Sequence, residues 1–203
     1  MHVSLVGRPS SWGAYRVTYT LSKAMDNVSE FFFSSPINPS DINQDWGRSD
    51  DDQRHRLVLN GSANVFGFQL SGLLQYYSAL PFNITSGVTT IQGTAGRPLA
   101  NGTASLTSAP PNVQTALFIP RNAGTGPDFF SLGARVSRAI RVAGRTKVVL
   151  LAEGFNLTNR QNNVAINGNF GAGAYPTNPS ATFGQVTAVG DPRSFQLGLR
   201  MTF

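Results

Sequence analysis

The chain has 203 residues, a formal charge of +6 at pH 7, no cysteine, 13% charged residues, 21 glycines and 12 prolines. Such a composition is poor in helix formers and rich in turn formers, and it excludes a disulfide framework or a thiolate metal site. The longest uninterrupted apolar run, Val148 to Ala152, falls far short of the ~20 residues that a membrane-spanning helix needs. An all-β chain is therefore expected, and its elements are read from period-two alternation.

In chain order, a short element is predicted at Val3 to Val6. Tyr15, Val17, Tyr19 and Leu21 then alternate with Arg16, Thr18, Thr20 and Ser22. The segment Gln53 to Val65 is the least regular. With Leu57, Leu59, Gly61 and Ala63 outward, it turns Arg56, Val58, Asn60 and Ser62 inward. Phe68, Leu70, Gly72, Leu74 and Tyr76 alternate with Gln69, Ser71, Leu73 and Gln75. Phe130, Leu132, Ala134 and Val136 alternate with Ser131, Gly133, Arg135 and Ser137. In Lys147 to Glu153, Val149 and Leu151 blur the pattern and leave the facing open. The end is the clearest: Phe195, Leu197, Leu199, Met201 and Phe203 are apolar, whereas Gln196, Gly198, Arg200 and Thr202 are polar or glycine.

Connections alternate between short and long. Phe66-Gly67 and Ala143-Gly144-Arg145 read as hairpin turns. Residues 25–52, 81–127 and 158–192 read as long structureless segments rich in Gly, Pro, Asn, Ser and Thr. Short turns at one rim and long loops at the other are what outer-membrane barrels show, with periplasmic turns and extracellular loops. The expected fold is an antiparallel β-meander of six or seven strands, part of a transmembrane barrel. Aromatic residues then fall near the two membrane boundaries: Trp12, Tyr15, Phe66, Phe68 and Phe203 at the turn end, and Tyr76, Tyr77, Phe82, Phe129 and Phe130 at the loop end.

The alternation assigns Arg16, Arg56, Arg135, Glu153 and Arg200 to the lumen wall, where charged groups stay solvated and pair with one another or contact a plug or an anionic solute. Arg138, Arg141, Arg145 and Lys147 surround a turn and are expected to anchor it near headgroups. Although fourteen of the sixteen basic residues are arginine, they are scattered singly, so no continuous stripe for nucleic acid is expected. Seven of the ten carboxylates fall between Asp26 and Asp52. Asp41, Asp45, Asp50, Asp51 and Asp52, with Asn38 and Asn43, could supply oxygen ligands to calcium, but without EF-hand spacing; a solvated, self-repelling loop is favoured. His55 near Asp51 and Asp52 lacks a nucleophile elbow, and Gly171-Ala-Gly173 lacks a following helix. No enzymatic activity and no cofactor are expected.

Several segments, taken in order, resemble a known family. They are Tyr19-Thr-Leu-Ser-Lys-Ala-Met-Asp-Asn27, Asp52-Gln-Arg-His-Arg-Leu-Val-Leu59, Arg121-Asn-Ala-Gly-Thr-Gly-Pro127, Ala152-Glu-Gly-Phe-Asn-Leu-Thr-Asn-Arg160, and Phe183-Gly-Gln-Val-Thr with Asp191-Pro-Arg193. From about residue 12 to 203 the chain resembles the C-terminal barrel of Oar-like TonB-dependent receptors, outer-membrane proteins with a carboxypeptidase-regulatory-like domain. The resemblance implies a twenty-two-stranded barrel in the bacterial outer membrane, with a plug and energisation through TonB. Residues 1–203 are then expected to be a C-terminal barrel segment without signal peptide or plug. The function implied is wall and extracellular loops for active solute uptake; the alternative is a structural or adhesive surface protein without transport. Expected partners are outer-membrane lipid, the rest of the barrel and plug, TonB through parts not in this sequence, and the barrel assembly machinery. The resemblance to barrel C-termini marks Phe195, Leu197, Leu199, Met201 and Phe203 as the assembly signal.

Overall fold

The computed structural model describes residues 1–10, 12–28, 36–38, 40–87, 96–102, 116–144 and 146–203. One antiparallel sheet takes seven strands in chain order: β1 (His2–Ser10), β2 (Gly13–Leu21), β3 (His55–Val65), β4 (Phe68–Tyr77), β5 (Phe129–Ala143), β6 (Thr146–Phe155) and β7 (Ser194–Thr202). All six predicted alternations are strands, and the seventh is real and longer than predicted. The sequence pattern lost β1 after Val6 because Gly7-Arg8-Pro9 breaks the alternation, and the register is irregular between Gly7 and Ser10. A Cβ at Gly7 would collide with the ring of Tyr15, so Tyr15 lies across the place a side chain would occupy. Among the described residues no helix is long and apolar enough to cross a membrane, which says nothing of crossing by strands.

Only two residues separate β1 from β2, β3 from β4 and β5 from β6. Phe66 (φ 49°) and Gly67 (φ 77°) are both left-handed, the geometry of a two-residue turn whose twist matches its strands. β4 is paired with β5 only as far as Gln69 opposite Ser137, yet β5 continues to Ala143 and pairs there with β6 alone. Neighbouring hairpins are thus staggered along the strand direction, as they are where strands tilt in a barrel wall.

Register settles the faces. Leu5, Val17, Leu59, Leu74 and Leu132 lie side by side across five strands, and Val136, Ala152 and Leu197 continue the same face. Val148 and Leu150 oppose Met201 and Leu199 on this apolar face, so Val149 and Leu151 belong to the polar one. The apolar face is bare: Phe195, Leu197, Leu199 and Met201 are 51–83% exposed. In water that arrangement exposes a large hydrophobic patch; in a bilayer it is the lipid-facing surface.

Buried apolar residues sit elsewhere. Ile84, Ile119 and Phe170 form a cluster covered by Phe82, Tyr175 and Phe183, all in the long connections. Those connections are not structureless, which corrects the sequence expectation. Met25–Asp26 pairs with Gly47–Arg48, Pro81–Phe82 with Gly124–Thr125, and Asn163–Ile166 with Val186–Val189. A bridge from Thr85 to Asn169 ties the second connection to the third. Composition hid this because the packing joins segments distant in sequence.

Candidate functional site at the polar face and loop end

The register brings the five predicted lumen residues onto one face. At its loop end a row runs His2, Thr20, Arg56, Tyr77, Phe129 across five strands. Below it lie Arg16 beside Asn60, then Ser62, Ser71, Arg135, Glu153 and Gln196, and nearer the turns Arg200 opposite Val149. Arg135 reaches Glu153 at 3.5 Å, a half-exposed contact of modest worth. The Arg56 guanidinium lies 5.0 Å from the centre of the Tyr77 ring, and Tyr77 stacks with Phe129 at 5.5 Å. Gln75 Nε2 donates to the Tyr77 hydroxyl at 2.7 Å. Arg16 and Arg200 have no ion-pair partner among the described residues.

Three side-chain placements differ from the sequence reading. Tyr77 and Phe129 lie on the polar face and are not part of a girdle on the apolar one, because Tyr76 and Phe130 take the apolar-face positions beside them. Phe82 covers the loop core. Arg138 shares the apolar face with Leu150, its guanidinium 4.8 Å from the Phe68 ring centre, while Arg141 and Lys147 oppose each other on the polar face. Arg145 lies outside the described residues. His55 makes no ion pair with a carboxylate among the described residues, and its Nδ1 is 2.8 Å from the Tyr19 hydroxyl.

The acidic loop is an ion-pair network and not a self-repelling one. Arg97, 3% exposed, donates to Asp45 at 2.7 Å, and its other terminal nitrogen donates to the Gln44 carbonyl at 2.6 Å. Asp45 also accepts the Ile37 N–H at 2.9 Å. Arg121 pairs with Asp26 and Asp50 and so bridges the first connection to the second. Close approach there requires Gly47, whose added Cβ would meet the Arg121 carbonyl oxygen at 2.5 Å. Asp52, fully buried, accepts from Ala24 N–H at 2.8 Å and from Arg48 at 2.9 Å. Burial alone would raise its pKa, but those bonds and the charges of Arg54 and Arg48 hold it below the ordinary carboxylate value. Burial lowers the pKa of Arg97, opposed by Asp45. Guanidinium groups therefore occupy carboxylate oxygens of Asp45, Asp50 and Asp52 that calcium would need. Among the described residues no three carboxylates or histidines come together.

Several residues that position the loop end were quoted in the sequence only as motif letters. Asn156 (φ 46°) and Asn159 (φ 50°) take left-handed conformations that asparagine tolerates. Asn156 donates to the carbonyls of Arg160 and Asp191, and Arg160 pairs with Asp128 at 2.6 Å. Asn162 acts as a surrogate strand: its amide donates to the Phe130 carbonyl and accepts the Phe130 N–H, both at 2.9 Å. These contacts hold Asn163–Ile166 beside the top of β4 and β5. There a groove of about 400 Å³ is lined by Tyr77, Phe129, Phe82, Pro127, Val164 and Ile166.

The five predicted assembly residues fall at the free edge strand. Phe195, Leu197, Leu199 and Met201 share the apolar face of β7, and Phe203 follows just beyond its last strand residue.

Comparison with known families agrees with this geometry: the family model described as outer membrane beta barrel domain matches residues 1–196. No curated protein and no solved structure matches the chain. With nearly its full length matched, the chain belongs to the outer membrane beta barrel domain family, and its place is the bacterial outer membrane.

Proposed function

We propose that this segment forms part of the wall and extracellular vestibule of a TonB-dependent receptor barrel that takes up a solute actively. The observation that carries the reading is the shared groove of about 400 Å³, where the inward pair Tyr77 and Phe129 meets folded connections. Loops that pack on one another over the mouth of a polar face suit a vestibule. Loops that serve as adhesive surface need no such continuity with the interior.

Parity supports a larger wall. With seven strands alternating in direction, β1 and β7 run the same way, so they would close on each other in parallel. A second copy with its loops on the same side of the membrane would also meet β7 with a parallel β1. A closed antiparallel wall containing this sheet has an odd number of further strands between β7 and β1. The rest of the barrel, with its plug, belongs to the proposal, as does lipid on the apolar face. So does recognition of residues 195–203 by the assembly machinery, which would pair with an edge strand offering free N–H and C=O groups. No catalytic role is included.

The test uses the intact gene product. A reading frame encoding a plug and TonB box, with TonB-dependent solute accumulation that is lost on deletion, supports transport. Normal growth and uptake in the deletion strain, with loss of surface attachment, would favour the structural or adhesive role instead.

A further inference from the structure

Charge divides unevenly between the faces of the sheet. Arg16, Arg56, Arg135 and Arg200 share the polar face with Arg8, Arg141 and Lys147, against Glu153 as its one carboxylate among the described residues. That leaves the face six positive among the described residues, equal to the formal excess of the whole chain, so the remaining charged residues of the sequence sum to zero. The cations on this face are not equivalent. Arg135 is engaged by Glu153 and Arg56 by Tyr77, whereas Arg8 and Arg16 have no ion-pair partner among the described residues and line one groove of about 430 Å³. Its floor is made of small groups, Ala14, Ser62 and Ser71, with the Asn60 amide beside Arg16. Those hydroxyls and that amide make no side-chain hydrogen bond within the described residues.

We propose that Arg8 and Arg16, over the floor of Ala14, Ser62 and Ser71, form a binding subsite for an oxyanion, a carboxylate or phosphate carried by a small solute. Guanidinium groups recognise such groups through paired, charge-assisted hydrogen bonds, and short hydroxyl side chains leave room for the anion while offering further donors. A groove of this volume is of the size that takes small molecules. The concentration of one sign of charge on a wall with a low-dielectric exterior raises the local concentration of anions. The proposal rests on the reading of the polar face as the barrel interior, and names the class of solute that reading leaves open.

Because the chain contains no cysteine, one can be placed as a reporter. Ser62→Cys is introduced into the intact receptor in a cysteine-free background, and folding is checked by heat-modifiable migration. Labelling rates are measured with methanethiosulfonates bearing a sulfonate or a trimethylammonium group, each normalised to its rate with a free thiol. The expected result is a preference of about ten-fold or more for the anionic reagent, weakened by salt and reduced to near unity by Arg8→Gln with Arg16→Gln. Slowing of labelling by millimolar inorganic phosphate or by succinate would identify the favoured anion; slowing by neither overturns the subsite. Equal rates for the two reagents overturn it while leaving the interior reading intact. Labelling only by a membrane-soluble maleimide overturns the interior reading itself. Protection that disappears only when a plug is removed assigns the arginines to an acidic protein surface and overturns the solute site.

Discussion

Replacing Arg97 with methionine probes whether the loop end is held by a buried ion pair. The substitution keeps the unbranched aliphatic stem and removes the charged guanidinium. Asp45, 9% exposed at its side chain, then retains the Ile37 N–H at 2.9 Å but loses the guanidinium at 2.7 Å. Removing one partner of a buried pair costs about 3–5 kcal/mol, because the remaining charge is left uncompensated. At about 1.4 kcal/mol per factor of ten, local opening of the first two connections becomes roughly two to three and a half orders of magnitude more frequent. Surface protease added to cells carrying the intact barrel should cut the Arg97→Met variant correspondingly faster, since cleavage follows the population of the open form. Heat-modifiable migration should stay unchanged, as the strands are untouched. The double variant Arg97→Met with Asp45→Asn should be milder than the single one, for asparagine keeps an acceptor for Ile37 without the charge. Cleavage of the single variant within two-fold of wild type, or a double variant worse than the single, would refute the reasoning.

Asp52 supplies a pH dependence with a definite sign. Its folded-state pKa is lowered, so its contribution is fully present above the ordinary value of 3.8 and is lost as pH falls through the lowered folded value; hydrogen exchange at Ala24, corrected for intrinsic rate, should rise below pH 4, and in Asp52→Asn it should already be fast at pH 7. Asn162→Ala removes both bonds to Phe130, a cost of about 1–3 kcal/mol for each polar group left buried, seen as loss of protection of the Phe130 amide. On the apolar face of β7, Leu199→Arg should cost roughly 2–4 kcal/mol if it lies near the bilayer midplane, and together with deletion of Phe203 it tests the assembly role. Outer-membrane insertion at the wild-type level in both variants would show that this strand neither faces lipid nor carries the signal, whereas Thr202→Ser on the polar face should be tolerated.

What was legible in the sequence follows from the range of the forces involved. Period-two alternation is local, so β2, β4 and β7 could be read from their own residues. Facing in β6 could not be read locally, because Val149 and Leu151 are as apolar as their neighbours and only pairing with β5 and β7 fixes their side. Tyr76-Tyr77 and Phe129-Phe130 misled for a related reason: adjacent aromatics cannot both face lipid, and composition does not say which one does. At the loop end the governing contacts join Asp45 to Arg97 and Arg121 to Asp26, far apart in the chain. No periodicity encodes those pairings, so the cluster of aspartates looked self-repelling. The asparagines at 156 and 159 did carry a signal, since asparagine is the residue that most readily replaces glycine at positive φ.

The location of the buried residues decides which solvent stabilises each part of the molecule. Ile84, Ile119 and Phe170 are shielded within the connections, as in a water-soluble domain. On the strands, Leu197 and Leu199 stay exposed, and an apolar surface of that kind is stabilised in a bilayer and not in water. The same substitution therefore has opposite meanings at different places. A polar residue at Phe170 would open a cavity and strand a polar group, a core defect of the ordinary kind. On the outer face its cost depends on depth in the bilayer, and on the polar face it costs little. Positive charge can accumulate on that last surface because water solvates it there, and since the charged residues outside it balance, the excess of the chain is left on the polar face, which in the proposed receptor is the face a solute would meet.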